Sequence, residues 1–370
     1  MKKYPKIIFI SENTASVGHR FRVMHTADAL EANGYRTETY DLKDITDSFL
    51  LPECDMLVIF RSAWNHHLNR IVNVCKGKEI PVIFDIDDLF FDADILHNGY
   101  WAYYDELPEE ARHLWMLKVN GYRKTLERCD AALLSTQPLK TAASRFCPHT
   151  WLLPNTLDKH LVTAANNAKK TIKPSEIDGK IRVGFASGTP THKKDFGVAV
   201  QGISRILGEN NNIILTILGA LNPAEYSVLA PYMDRVEIRP HVNTGELASE
   251  VHRFDINLAP LEINNPFCAS KSALRCIMAS IVEIPSVVSP TQPLREAVGE
   301  GKYGLIARND EEWYEGIHTL IENTALRNRL GTESNINTLQ NFGPEAGVSM
   351  TLDVFDAIIR DWRSCKPRFF

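Results

Sequence analysis

Four aspartates, Asp85, Asp87, Asp88 and Asp92, stand in or just after an apolar run in the stretch Val82–Asp92, V-I-F-D-I-D-D-L-F-F-D. Asp85 and Asp87 have the spacing of an Asp-x-Asp motif, in which a divalent metal ion neutralises a leaving diphosphate. An aspartate after a strand is also typical of a phosphoacceptor. Carboxylates at the carboxyl end of a strand can instead bind acceptor hydroxyl groups, and one that touches a reacting hydroxyl can act as its base. These chemistries need different partners elsewhere in the chain.

Two other segments carry positive charge at the end of a predicted strand. In Arg182–Lys194, R-V-G-F-A-S-G-T-P-T-H-K-K, basic residues crowd the first turn of the next helix. In Asn264–Ser272, N-N-P-F-C-A-S-K-S, Ser270 is predicted to cap a helix that begins near Lys271. Cations are unfavourable at a helix N-terminus, whereas an anion that docks on its free N–H groups removes the conflict. We therefore predict a shared diphosphate site, although either segment alone is equally well read as solvated surface charge.

These basic segments help to decide which chemistry the acidic run performs. A diphosphate that lysines and N–H groups already neutralise needs no metal ion, and a receiver domain with a phosphoacceptor is much shorter than this chain. We favour acceptor binding by Asp85, Asp87 and Asp88, in a cleft. A structural interpretation stays open, in which Asp85 or Asp88 caps the next helix or pairs with Arg61 or Arg20.

Length and composition predict a soluble protein of two domains. The chain has 370 residues with 44% hydrophobic and 24% charged residues. Its net charge of −5 argues against a nucleic-acid partner, which usually selects a basic protein. Seven cysteines without a C-x-x-C motif indicate reduced thiols in a cytoplasmic protein. We find no apolar run long enough for a signal peptide or a membrane helix.

Apolar β-branched runs alternate with helical patterns along the chain, which is typical of parallel sheets covered by helices on both faces. This predicts an α/β fold of two doubly wound, Rossmann-like domains that face each other across a cleft, with ligands beyond the carboxyl ends of the strands. The predicted boundaries are a first domain over 1–157, a polar linker over 158–180, a second domain over 181–344, and a final helix and tail over 345–370. Predicted elements include strands at Lys6–Ile10, Met56–Phe60, Pro81–Phe84 and Ile256–Ala259, and helices at Phe21–Asn33, Phe196–Leu207 and Ser270–Ile281.

Several of these segments resemble one enzyme family. Phe254–Arg275, F-D-I-N-L-A-P-L-E-I-N-N-P-F-C-A-S-K-S-A-L-R, is similar to the donor-binding region of GT-B glycosyltransferases of the retaining family 4 class. Val183–Phe196 resembles the first strand and turn of their C-terminal domain, and Leu153–Asp158, L-P-N-T-L-D, resembles an interdomain signature. The acidic run is similar to a segment of members from bacterial surface-polysaccharide (O-antigen or capsule) gene clusters. The resemblance covers most of the chain and is specific for fold and class.

The resemblance implies a nucleotide-sugar donor, linked to UDP, GDP or dTDP. From the two basic segments we predict that no metal is needed, and we predict no further cofactor. The resemblance places the diphosphate near two groups of residues: Gly188, Thr189, His192 and Lys194 on one side, and Lys271 and Ser272 on the other. Further donor contacts implied for the base and sugar are Gly219, Glu262, Asn265 and Phe267. On the acceptor side it implies Gly18 and His19, which would lie near the carboxylates Asp85, Asp87 and Asp88 that we favour as acceptor-binding groups, and it implies that the final helix crosses back to the first domain.

The sequence departs from the family at one aligned position. Many relatives have a glutamate that accepts hydrogen bonds from the ribose hydroxyls, whereas Met278 stands here. Methionine is a poor acceptor, so Glu283 or Glu262 serves instead or the ribose is held differently. The activity implied is transfer of a sugar to a growing, lipid-linked glycan in surface-polysaccharide synthesis. Alternatives are a nucleotide-sugar epimerase of the same fold and a non-catalytic binding homologue.

Two aromatic segments bear on the acceptor. The run Tyr100–Tyr104 is either a packed corner, a platform on which sugars stack, or a lip that faces a membrane. The basic and aromatic tail Trp362–Phe370 fits either contact with an anionic membrane surface or a frayed end. A lipid-linked acceptor would be met at the cytoplasmic face of the inner membrane.

Overall fold

The computed structural model describes residues 5–188 and 190–364. Within them the chain forms two compact units. The first unit runs to Leu157 and also includes Ser270–Ser272 and the C-terminal segment from Pro344. The second unit comprises Asp158–Ala269 and Ala273–Gly343. Thr189 and residues 365–370, which include most of the basic tail, lie outside the described residues.

The first unit is built on a parallel sheet whose strands stand in the order β2-β1-β3-β4-β5-β6. The strands are β1 (Lys6–Ser11), β2 (Arg36–Asp41), β3 (Met56–Phe60), β4 (Val82–Ile86), β5 (Ala131–Leu134) and β6 (Thr150–Leu152). The helices before Leu157 are α1 (Val17–His19), α2 (His25–Glu31), α3 (His66–Gly77), α4 (Asp94–His97), α5 (Ala102–Asp105), α6 (Glu109–Arg128) and α7 (Gln137–Ala143). A π-helical turn, Arg20–Met24, joins α1 to α2, and a 3-10 turn forms at Leu42–Asp44.

The second unit has its own parallel sheet, in the order β12-β11-β10-β7-β8-β9. Its strands are β7 (Ile181–Ser187), β8 (Ile213–Gly219), β9 (Val236–Arg239), β10 (Ile256–Ala259), β11 (Ser286–Val288) and β12 (Leu305–Ile306). Its helices are α8 (Lys159–Ala168), α9 (Pro174–Asp178), α10 (Lys193–Gly197), α11 (Val200–Glu209), α12 (Thr244–His252), α13 (Pro266–Ala269), α14 (Leu274–Ser280), α15 (Gln292–Ala297), α16 (Asp310–Glu322) and α17 (Thr324–Phe342). The 3-10 turns are Pro190–His192, Pro223–Glu225, Ser227–Arg235 and Gly299–Gly301.

The last helix, α18 (Pro344–Ser364), is part of the first unit. Phe355 and Ile358 of α18 belong to the hydrophobic core that β1, β3 and β4 build. Tyr35 donates a hydrogen bond to Asp356, and the Trp362 indole donates one to the Glu79 carbonyl oxygen at 3.0 Å. Burial of this apolar face fixes the helix to the first unit.

The segment 158–180 differs from the polar linker that its composition predicts. It forms α8 and α9 and belongs to the second unit. Asp158 caps α8 by accepting from the Leu161 N–H, and Leu161, Ala165 and Ala168 are buried. Three small or aliphatic residues at helical spacing are enough to bury one face of a short helix, although they give only weak periodicity in the sequence. No helix of the described residues is long and apolar enough to cross a membrane.

Candidate functional site

Both sheets reverse their strand order at one point, and in open α/β sheets ligands bind beyond the carboxyl ends of the strands there. In the first unit this point lies between β1 and β3. Gly18 and His19 follow β1, and Arg61 follows β3 directly. In the second unit the reversal lies between β7 and β10, where one turn carries His192 and the other carries Glu262. Predicted site residues therefore follow these strands in each unit.

Asp85 lies inside the first sheet and not on its rim. It is the fourth residue of β4 and is 1% exposed. The Arg22 Nε–H donates to Asp85 Oδ1 at 2.9 Å, and Arg22 is also 1% exposed. The same guanidinium donates to the Leu153 carbonyl oxygen and, at 3.2 Å, to Asn155 Oδ1. Asp85 is thus half of a buried ion pair, whose partner is neither Arg61 nor Arg20.

Arg22 lies in the π-helical turn Arg20–Met24. Such turns are rare and are frequent at functional sites. Burial raises the pKa of Asp85 to about 6, and the neighbouring Arg22 cation opposes that rise. Nothing in the sequence marks Arg22 as the partner, because it lies 63 positions from Asp85.

Asp87 and Asp88 lie just beyond β4 and share one cation. Arg61 Nη1 is 3.4 Å from Asp87 Oδ1 and 3.3 Å from Asp88 Oδ2. Burial raises the pKa of Asp88 to about 6; the positive charges of Arg61 and Lys271 oppose the rise and the Asp87 carboxylate adds to it. The next helix, α4, has Ala93 at its N-cap and no side-chain cap, so neither Asp85 nor Asp88 caps it. A carboxylate with a pKa near 6 can change its protonation state close to neutral pH.

Gly18 and Asp87 approach each other closely. A Cβ atom on Gly18 would lie 2.9 Å from Asp87 Oδ2 and 3.1 Å from Phe60 Cζ, so a larger residue would displace the carboxylate. His19, one residue further, is buried, and its Nδ1 has no hydrogen-bond partner among the described residues. Burial lowers the pKa of His19 below its usual value, so its neutral form is favoured at neutral pH.

Lys271 and Ser272 cluster with the first unit. Thr136 Oγ1 donates to the Ser270 carbonyl oxygen at 2.9 Å, and Asn155 Nδ2 donates to Ser272 Oγ at 3.3 Å. The lysine charge acts on Asp88. The structure therefore brings Lys271 to the same edge as the aspartates.

The prediction that Ser270 caps a helix beginning near Lys271 is wrong. The Asn265 side chain accepts from the N–H groups of Phe267 and Cys268 at 2.9 and 3.3 Å, which starts the short helix α13 earlier. Helix α14 begins only at Leu274, with Ala273 at its N-cap and no side-chain cap. Lys271 and Ser272 consequently lie in the connection between two helices.

The second unit has a buried polar cluster at its strand reversal. His192 Nδ1 is 2.8 Å from Asp195 Oδ2, and the Cys268 thiol donates to Asp195 Oδ1 at 3.1 Å. Asp195 is 2% exposed. Asn265 Nδ2 donates to Glu262 Oε1 at 3.1 Å, so Glu262 and Asn265 are also joined. Asp195 is a residue that sequence reasoning missed, although its spacing of three from His192 suits one helical turn.

The helix that follows the basic turn of the second unit is interrupted, where the sequence predicts one continuous helix. The helix predicted over Phe196–Leu207 is split into α10, which has five residues, and α11. Lys194 is exposed, and Lys193 pairs with Glu225 at 2.5 Å. A Cβ on Gly188 would meet nothing within 4 Å. Thr189, which the resemblance assigns to the diphosphate, lies outside the described residues.

The predicted base-binding turn begins at Gly219, whose φ is +108°. A Cβ there would overlap the Ser187 carbonyl oxygen. Met278 is buried, 4% exposed, in α14. Glu283, one of its two possible substitutes, has its carboxylate 2.8 Å from Lys169 Nζ. Glu262, the other, already accepts a hydrogen bond from Asn265.

The described residues contain two groups of three potential metal ligands, and within each group the ligand atoms lie within 4.8 Å of one another. One consists of Asp195, Glu262 and Cys268, and the other of Asp47, His66 and His67. Asp85, Asp87 and Asp88 do not form such a group in the described ranges. The Asp-x-Asp spacing is present in the sequence, but Arg22 and Arg61 hold its side chains.

The two doubly wound parallel sheets define the GT-B fold, which confirms the fold class that the sequence predicts. Neither protein-family models nor curated proteins match this chain. Among solved structures it is similar to sucrose-phosphate synthase from Thermosynechococcus elongatus, at 14% identity and a TM-score of 0.64 over 96% of this chain and 100% of that chain. It is likewise similar to HepE from Anabaena in complex with UDP-glucose, at 11% identity and a TM-score of 0.65 over 96% and 100%.

A third similar structure is a putative UDP-N-acetylglucosamine 2-epimerase from Listeria monocytogenes, at 12% identity and a TM-score of 0.55 over 97% of both chains. At identities this low the likeness shows the fold. It extends over nearly the whole of each chain.

Proposed function

We propose that this protein is a glycosyltransferase that moves a sugar from a nucleotide-sugar donor to a hydroxyl group of a glycan acceptor. The observation that carries the proposal is the likeness over 96% of the chain to a GT-B protein in complex with UDP-glucose. The polar residues that follow the reversal strands in each unit support it, because this is where α/β sheets bind ligands. The donor is linked to UDP, GDP or dTDP, with UDP the first to test.

The residues divide into a donor set and an acceptor set in this proposal. The positive charge of Lys271 stabilises the leaving diphosphate, together with Lys194 and His192. Donor contacts also come from Gly188, Thr189, Gly219, Glu262, Asn265, Phe267 and Ser272. Asp87 and Asp88 bind acceptor hydroxyl groups, with Gly18 and His19 beside them. Asp85 supports this edge from the interior through Arg22, because its carboxylate is enclosed.

The chemistry proposed is retaining and independent of metal. Lysine charge and backbone N–H groups perform the neutralisation for which other glycosyltransferases use a metal ion. Transfer by the purified protein in the presence of EDTA tests this part. Activity that appears only with added Mg²⁺ or Mn²⁺ would refute a metal-free mechanism.

Lys271→Ala tests the donor assignment. We expect it to lower kcat/KM for transfer by about 100-fold, the usual effect of removing one electrostatic stabiliser of a leaving charge. Lys302→Ala is the matched control, because Lys302 is an exposed lysine in the second unit. Turnover by Lys271→Ala equal to that of the control would show that Lys271 does not contact the leaving group.

An epimerase acting on the free nucleotide sugar is the second candidate, favoured by the likeness to the Listeria protein. Incubation with donor alone separates the two, since an epimerase converts the donor without acceptor. The acceptor we propose is a growing, lipid-linked glycan of a bacterial surface polysaccharide, met by peripheral contact at the cytoplasmic face of the inner membrane. A thermal-shift screen of nucleotide sugars identifies the donor, because a ligand of the native state raises stability by mass action.

A further inference from the structure

Arg61, the residue directly after β3, has an unusual backbone. Its φ is +39°, in the left-handed region that residues other than glycine seldom adopt. Such conformations cost about 1–3 kcal/mol and persist where the surroundings impose them, often at functional sites. The Arg61 N–H donates to the Asp85 carbonyl oxygen at 2.8 Å, which joins the end of β3 to β4. The strained residue is therefore fixed by the sheet itself.

The side chain of Arg61 is held as firmly as its backbone. Its guanidinium carbon lies 5.0 Å from the centre of the Phe90 ring. Phe90 is buried and packs edge-to-face against Trp101 at 4.9 Å, so the aromatic run is a packed corner at Trp101. A planar guanidinium braced against a ring has less freedom than a lysine ammonium would have. From this position it meets Asp87 at 3.4 Å and Asp88 at 3.3 Å.

The charges around Asp88 show how Arg61 influences its ionisation. The Asp87 carboxylate repels a second negative charge, whereas Arg61 and Lys271 favour it. Tyr122 and Glu12 also face Arg61, and Glu12 is paired with Lys118 at 2.7 Å. Adjacent, partly buried carboxylates repel each other, and a cation that neutralises part of this repulsion favours the ionisation of both. Arg61 lies between them and is such a cation.

We infer that Arg61 is a positioning residue that fixes the orientation of Asp87 and Asp88 and keeps Asp88 ionised, so that it can accept a hydrogen bond from the acceptor hydroxyl. The catalytic consequence rests on the proposed transferase function. The electrostatic part concerns only the folded first unit and can be tested without substrate.

The test measures the titration of Asp88 with ¹³C-labelled aspartate carboxyl groups by NMR, assigned with Asp88→Asn. Loss of a cation within 4 Å raises the pKa of a carboxyl by roughly one unit or more, so Arg61→Met and Arg61→Gln should move the midpoint upward by that amount. Arg61→Lys should restore the midpoint. An unchanged midpoint in the neutral variants would overturn the inference.

Arg205→Met is the matched control for loss of a stacked, paired arginine. Arg205 pairs with Glu209 and Glu311 and lies 3.5 Å from the centre of the Tyr314 ring, all in the second unit. The Arg205→Met variant should titrate Asp88 with the same midpoint as the wild type. If Arg61→Met fails to fold, Arg61→Gln retains a polar side chain with N–H donors and still removes the charge.

The pH profile of transfer connects the electrostatic effect to the reaction. In Arg61→Gln the acidic limb of the pH profile of kcat/KM should shift to higher pH together with the NMR midpoint. In Arg61→Lys it should return to the wild-type pH. A limb that stays in place while the midpoint moves would overturn the catalytic part. A protein that transfers no sugar from any donor would refute the proposed function, whereas the NMR titration would still decide the role of Arg61.

Discussion

At the scale of single residues, Asp85 makes stability depend on pH. Burial raises its pKa in the folded protein to about 6, above the roughly 3.9 of an unfolded chain. The folded protein then binds the proton more tightly, so the contribution of Asp85 is fully present below about pH 4 and is lost as pH rises to about 6. We expect the free energy of unfolding of the wild type, minus that of Asp85→Asn, to fall over this range.

Denaturant unfolding at pH 4, 5, 6 and 7 measures that difference. Between pH 4 and pH 7 the wild type should lose about 3 kcal/mol of stability relative to Asp85→Asn, because a pKa rise of about two units corresponds to that free energy and asparagine does not titrate. A difference between the two proteins that stays constant from pH 4 to pH 7 would contradict the assignment of this titration to Asp85.

Gly18 offers a second prediction at this scale. Gly18→Ala adds a methyl group 2.9 Å from Asp87 Oδ2, so the carboxylate must move. In the proposed reaction we expect the rate of transfer to drop by about 10- to 100-fold, because small misplacements of a substrate-binding group have effects of this size. Gly77→Ala is the control, since a Cβ there meets nothing within 4 Å and alanine suits a helix better than glycine. Equal activity of the two variants would show that Asp87 tolerates displacement.

At the scale of elements, the end of β8 depends on a glycine. Gly219→Ala meets both a φ of +108° and the Ser187 carbonyl oxygen, whereas Gly179→Ala meets a φ of +70° with open space around it. We expect Gly179→Ala to cost about 1 kcal/mol of stability from backbone strain alone and Gly219→Ala to cost several. Thermal unfolding of the two variants checks this order, and similar losses would contradict it.

The sequence predicts the strands better than the connections. Met56–Phe60 and Ile256–Ala259 form strands with the predicted bounds, because a short, wholly apolar run between polar residues has few other ways to be buried. Strand β6 was missed, and its residues Thr150–Leu152 are only partly buried, so they carry little pattern. The predicted helix over Phe21–Asn33 begins earlier and contains a π-helical turn, which no hydrophobic period reveals.

The candidate site was predictable in part. Polar residues after an apolar strand indicate the carboxyl edge, and this led to Asp87 and Asp88, whereas Gly18 was assigned through the family resemblance. Arg22 and Asp195 were missed because their roles arise from tertiary contacts that span 63 and 73 positions. Asp85 was grouped with the cleft residues because periodicity does not show that the strand extends two residues past Phe84, to Ile86, and so buries Asp85.

At the scale of the whole molecule, the first unit needs the C-terminal helix. Phe355 and Ile358 are buried in its core. A chain that ends at Gly343 loses both side chains and all other contacts of α18. Replacing a single core phenylalanine by alanine already costs about 3–5 kcal/mol, so the truncation should destabilise the first unit by more than that. We expect β1 and β4 to lose protection against hydrogen exchange in this truncation while β7 and β8 keep theirs.

Phe355→Ala is the milder companion variant, and its loss of protection should be confined to the first unit. Mass spectrometry of peptides from each sheet reads the two units separately. Equal loss in both sheets of either variant would contradict the assignment of α18 to the first unit.

The return of the chain to its first unit has a consequence for synthesis on the ribosome. Residues 158–343 must all be translated before Pro344–Ser364 can complete the core around β1, β3 and β4. At about 5–20 residues per second this takes on the order of ten to forty seconds. Throughout that interval the second unit is still being synthesised, while the first, made earlier, exposes the apolar surface that α18 covers. The part of the nascent chain that most needs a chaperone is therefore its oldest part.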